Sequence, residues 1–196
     1  MKKVPNHFII KYQMFYAFKL GRRSQMWLTF RTGFSERFWF LVFKIFFSKN
    51  MIHERKFRKK SGIWSDDVFL FRNEKSAERF KKAQEMDWSG DPYAKNRLYG
   101  EALGYPEFAI DDFKNLLKNQ KELFDGRPKP GDRISVKCFE YGYDSIVCRP
   151  ENYKKMKKWL ESQGVPLIKC IFSINETGRW EHFSFEEFED KIKLIK

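Results

Sequence analysis

The stretch Asp67-Val68-Phe69-Leu70-Phe71-Arg72 decides how the rest of the chain is read. Four large apolar residues, two of them aromatic, stand between an acid and a base. Such a run reads as a short buried strand. Asn73 follows as a helix cap, and 76–85 spaces Ala77, Phe80 and Ala83 three residues apart on one side. The break at 88–92 ends that helix. Asp91 with Pro92 starts another, because the carboxylate caps the first turn and proline suits it. It is expected to run to about Leu103 and to stop at Gly104. A third helix over 106–119 puts Ala109, Ile110, Phe113, Leu116 and Leu117 on one side.

The Gly- and Pro-rich stretch 125–131 is turn chemistry and reads as a subdomain boundary. Beyond it the apolar period falls to two. Strands are expected over 133–139 and 145–148, joined by a turn at Tyr141-Gly142-Tyr143-Asp144. Pro150 opens a helix with Tyr153, Met156 and Leu160 inward and Gly164 as its stop. A strand over 167–174 places Ile168, Cys170, Phe172 and Ile174 on one face. A turn at 175–178 leads to a strand over 179–185 and a last helix through Phe188 and Ile192. The order is ββαββα, an antiparallel sheet with helices on one face, and the fold class is α+β. The strand at 68–71 is expected to join this sheet at an edge.

Upstream of Asp67 the chain changes character. The whole sequence carries 39 Lys and Arg against 26 Asp and Glu, a net +13. Residues 1–62 hold 15 of the bases and only two acids, Glu36 and Glu54, so the whole imbalance lies there. Three segments follow: 1–62, basic, aromatic and expected to be helical; 63–124, a strand with three helices; and 125–196, the ββαββα unit. With 42% apolar residues, 11 Gly and 7 Pro, the chain is neither disordered nor low-complexity.

A basic, aromatic segment suits an anionic partner. Lys and Arg bind phosphates by displacing counterions, and flat rings stack on exposed bases. The residues expected to contact nucleic acid are Lys11, Lys19, Arg22, Arg23, Arg31, Arg55, Lys56, Arg58, Lys59 and Lys60. A small accessory or regulatory protein of a phage or mobile element fits this reading. The same composition also suits a helix lying in an anionic membrane surface. Over 26–47, helical spacing aligns Trp27, Phe30, Phe34, Phe38, Leu41 and Ile45 in one stripe. The plainest expectation for that stripe is packing on the following domain. Its longest uncharged run is only six residues, 38–43, so a membrane-spanning helix is not expected. No small-residue cleavage site follows it, and a cytoplasmic location is expected. The sequence also admits a second start at Met51, which leaves a net charge of +4 and makes 1–50 no part of the native chain.

Chemistry-bearing residues are few. Cys138, Cys148 and Cys170 share strand faces with Ile and Val and read as core thiols. Three Cys and three His exclude a disulfide scaffold and speak against a zinc site. No metal and no cofactor is expected, and no catalytic residue is assigned. His182 is expected opposite Ile171, facing away from Cys170. The acids at 66–67, 111–112 and 186–190 read as caps and solvated faces. Two turns are candidate binding loops, one with Gly104 and Tyr105, the other with Tyr141 and Tyr143. A site converging from Asp66, Asp67, Tyr105, Tyr141 and His182, or a protein partner for the neutral domain, are the remaining readings. Oligomeric state is left open.

Overall fold

In the computed structural model, which describes residues 5–58, 62–86, 91–118, 133–176 and 179–193, the strand read at 68–71 ends a longer one. Its partners come from the N-terminal third. The chain runs α1 (His7–Lys19), β1 (Gln25–Phe30), α2 (Phe34–Phe47), β2 (Met51–Arg58), β3 (Ile63–Phe71), α3 (Glu74–Glu85), α4 (Pro92–Ala102) and α5 (Glu107–Lys118). It continues through β4 (Ile134–Cys138), β5 (Tyr143–Cys148), α6 (Tyr153–Ser162), β6 (Ile171–Glu176), β7 (Arg179–Phe183) and α7 (Phe185–Lys193). Both sheets are antiparallel, one in the order β1-β3-β2 and the other β5-β4-β6-β7. The fold is α+β.

β3 is the centre of the first sheet, not an edge of the second, which corrects the expectation above. The reason is two-sided burial. Val68 and Leu70 face α1 and α2, among Met14, Phe15, Phe18, Phe43 and Phe47. Phe69 and Phe71 face the other way, onto Phe80 of α3 and Leu103. The Phe69 and Phe80 rings lie 4.2 Å apart. A strand without a solvent face needs a paired neighbour on each edge. β1 pairs over Gln25–Phe71 to Phe30–Asp66, and β2 over Met51–Leu70 to Arg58–Ile63. The segment division expected at residue 62 therefore falls in the turn between two paired strands.

The N-terminal segment is accordingly not helical throughout. Met26, Leu28 and Phe30 are all buried, a period of two. Trp27 and Phe30, read as the start of a helical stripe, are strand residues on opposite faces. The helix begins only after Gly33, which caps α2 by its extended backbone. Local signals set the other ends. Asn6, Asn73 and Asp91 accept from the first-turn amides Ile9 N, Lys75 N and Tyr93 N. Ser184 and Glu187 bond each other's backbone N–H at the head of α7. The backbone amide of Ser184 also holds the Glu187 carboxyl below its usual range.

The second sheet matches the expected ββαββα. Ile134, Val136, Phe172 and Ile174 are covered by Tyr153, Met156, Leu160, Phe188 and Ile192. One strand starts late. Leu167–Lys169 is a short 3-10 turn that leaves Ile168 exposed, so Ile168 does not share a face with Cys170. The boundary expected at 125–131 lies outside the described residues. The two cores touch where Phe139 and Ile171 of the second sheet's side enter the first core.

Ten of the fourteen buried members of that first core come from residues 1–50. A chain starting at Met51 would leave Val68 and Leu70 bare. Such a chain is expected to bind an apolar dye and to be cleaved within 51–71 in brief proteolysis, whereas the full chain resists. Equal resistance of the two chains would contradict this packing.

Candidate functional site

α2 carries two apolar faces. Trp39, Phe43 and Phe47 are buried against α1 and the sheet, the Phe15 and Phe43 rings 5.5 Å apart. On the opposite side, Phe34, Phe38, Leu41 and Ile45 recur at helical spacing and remain in solvent, Phe34 at 90% and Ile45 at 66% exposure. The stripe therefore does not pack on the domain, contrary to the plainest expectation. α1 extends it, for Phe8 stacks on Phe38 at 6.4 Å, and Ile9, Tyr12 and Tyr16 are also exposed. Glu36 is the one acid in residues 1–50, and it is buried. The exposed charges of α1, α2 and their loops, Lys19, Arg31, Arg37, Lys44 and Lys49 among them, are all positive. No helix among the described residues is long and apolar enough to cross a membrane.

The ten expected nucleic-acid residues divide. Lys19, Arg22, Arg31, Arg55 and Lys56 are exposed. Arg55 lies over the Trp64 ring at 5.3 Å, and Lys56 pairs with Glu54 and with Asp67. Nothing of the Arg58 side chain is described, and Lys59 and Lys60 lie outside the described residues. Lys11 and Arg23 are buried and engaged inside the protein. Lys11 Nζ donates to Thr29 O at 2.7 Å, with Glu36 Oε2 3.9 Å away. Burial pulls the Lys11 ammonium below its ordinary pKa, and Glu36 opposes that pull. The contact ties α1, β1 and α2 into one unit.

Arg23 instead joins the two candidate loops. Its Nη2 donates to Leu103 O at 2.7 Å, and its guanidinium lies 4.2 Å from the Tyr143 ring centre. Gly104 and Gly142 both take positive φ, 67° and 78°. A Cβ on Gly142 would stand 2.9 Å from Arg23 Cβ, and at a φ of 78° glycine alone takes the turn without strain. Between the loops lies a small cleft, partly open to solvent and lined by Arg23, Trp27, Tyr105, Tyr143, Asp144 and Ser145. Burial raises the pKa of Tyr105 and of Tyr143, and Arg23 opposes it at each. Tyr141 stands just outside, its ring 5.2 Å from the Arg22 guanidinium.

The proposed convergence of Asp66, Asp67 and His182 is not found; each has a local partner. Asp66 meets His53 at 2.7 Å, and Asp67 accepts from Thr29 Oγ1 at 2.8 Å. His182 stands opposite Ser173, not Ile171, and its Nδ1 is 2.7 Å from Ser173 Oγ. Ser173 is fully buried, which closes its hydroxyl to any substrate. All three thiols are buried, and burial pushes Cys148 far above the usual range. Asp112 accepts from Arg149 N and Asn152 Nδ2, fixing the approach to α6. Among the described residues no three His, Cys, Asp or Glu gather as metal ligands.

Two outcomes follow from these contacts. Lys11→Met leaves Glu36 buried without its cation and is expected to cost about 3 kcal/mol in urea unfolding, most of which returns in Lys11→Met/Glu36→Leu. Simple additivity of the two losses would refute the pairing. Burial, with Lys137 second, lowers the His182 pKa below 6.5. The unfolded chain then takes up the proton first, so stability falls as pH drops from about 6.5 and levels off once the folded imidazole protonates. His182→Gln removes that slope, and an NMR titration of His182 places its midpoint below 6.5.

No family model, no curated protein and no solved structure matches this chain.

Proposed function

We propose that this is a peripheral membrane-binding protein that lays the outer face of α1 and α2 on an anionic lipid surface. The observation that carries the reading is the second apolar face of α2, exposed beside basic side chains. Large apolar patches left in water mark interaction surfaces. Arg37 and Lys44 flank the stripe on one side. They can sit at headgroups while Phe34, Phe38, Leu41 and Ile45 enter the acyl boundary. Each Lys or Arg near an anionic leaflet adds about 1 kcal/mol.

The makeup of the face favours lipid over nucleic acid. Bases stack on flat rings, yet Ile9, Leu41 and Ile45 are aliphatic and offer a base no stacking surface. Acyl chains accept aliphatic and aromatic side chains alike. Two of the ten cations expected to hold phosphates are also committed inside the protein.

The test is co-sedimentation of the full chain with vesicles of phosphatidylcholine alone and of phosphatidylcholine with phosphatidylglycerol. Binding is expected to the anionic vesicles and to fall at least tenfold in Phe38→Glu or Leu41→Glu, since either places a charge in the acyl boundary. Both positions are exposed, so thermal unfolding should shift little. Arg37→Glu/Lys44→Glu should weaken binding most at low salt. Failure to sediment with anionic vesicles would sink the proposal. So would binding to DNA or RNA that falls steeply with salt and is unchanged by Leu41→Glu, which would make nucleic acid the partner.

A further inference from the structure

We propose that the cleft between the Gly104 and Gly142 turns binds a small soluble anion, a carboxylate or phosphate group at the end of a larger molecule, through Arg23. It rests on residues other than those of the α1–α2 face. Arg23 is only 8% exposed, and its guanidinium stays charged in any protein interior. A buried cation without a counter-charge is destabilising. Its partners are a carbonyl, Leu103 O, and the face of the Tyr143 ring. Among the described residues no carboxylate stands within 4.0 Å of it, and Nε is buried without a hydrogen-bond partner. Of the other buried cations among the described residues, Lys11 has Glu36 nearby and Lys95 donates to Met86 O.

The surroundings suit an anionic end group. A guanidinium offers paired N–H donors in the geometry that carboxylate and phosphate oxygens accept. Ser145 and Tyr105 line the same cleft, and Ser145 Oγ is 2.9 Å from Ser135 Oγ. Trp27 borders it at 44% exposure and is stacked on Phe69 at 5.7 Å, so its indole is held in place. It offers a flat wall for the remainder of the ligand. The space is small, which limits the inserted part to one such group. Asp144, exposed in the same lining, repels an incoming anion. Its removal therefore separates anion binding at Arg23 from a purely structural role.

The test uses the full chain labelled with 15N. The Arg23 Nε–Hε signal is assigned by its loss in Arg23→Lys, or by through-bond correlation within the arginine side chain if that variant does not fold. Sodium phosphate and sodium acetate are titrated separately, with chloride holding ionic strength constant. The expected result is a saturable shift of the Arg23 signal with at least one of them. Asp144→Asn should tighten that binding about threefold, since it removes a like charge from the lining of the cleft. The proposal is overturned if the Arg23 signal moves no more than those of exposed Arg22 and Arg31. It is equally overturned if Asp144→Asn leaves the affinity unchanged.

Discussion

The structure depends on one constraint, that β3 is buried on both faces and hydrogen-bonded on both edges. Phe69 and Phe71 commit one side to α3 and the end of α4. Val68 and Leu70 commit the other to α1 and α2. An unpaired backbone N–H or C=O in such a strand would be costly, so β1 and β2 are obligatory. Both come from before residue 62, on either side of α2. The basic N-terminal third is therefore structural first, and only its surplus is available to a partner.

That surplus has a physical origin. A helix needs one apolar stripe to pack, and α2 has that stripe in Trp39, Phe43 and Phe47. Phe34, Phe38, Leu41 and Ile45 add nothing to the core. Glu36 shows how completely the two sides differ. It turns inward, beside Lys11 and His7, and leaves the outer surface of this region without an acid. Arg23 and Lys11 illustrate two treatments of a buried cation. Lys11 has a carboxylate nearby and a backbone acceptor, whereas Arg23 has a carbonyl and a tyrosine.

Much of this was legible in the sequence where signals are local. Asn73, Asp91 with Pro92, and Gly104 gave helix ends within a residue or two, because caps act on the amides beside them. The ββαββα order was legible because Ile134, Val136, Phe172 and Ile174 alternate with polar residues. The N-terminal third defeated periodicity because its apolar residues satisfy two periods at once. Trp27, Phe30, Phe34 and Phe38 satisfy a helical spacing, while Met26, Leu28 and Phe30 satisfy a strand. Only pairing with β3, about 40 residues away, selects the strand. The candidate loops were legible one by one, since each is a glycine turn. Their meeting was not, because Arg23 bonds to Leu103 across 80 residues. Burial of Lys11 was hidden for the same reason: a lysine is drawn inside by Thr29 O and Glu36, which no local pattern announces.

The outer face of α2 bears on function through a balance of energies. Burying a large apolar side chain contributes about 1.5–3 kcal/mol. Four of them on α2, with Phe8 and Ile9 beside them, hold enough to offset the loss of freedom on docking, about 4–15 kcal/mol. A protein partner would supply that burial only with a shape fitted to Phe34 and Ile45, which project far from the surface. A bilayer interface needs no such fit, because acyl chains close around whatever enters. The uniform positive charge around the stripe points the same way. A protein partner would need an acidic patch matched to this face, whereas an anionic leaflet presents one sign over its whole area. Projection without a fitted socket and charge of a single sign are two independent features, and a lipid surface accounts for both.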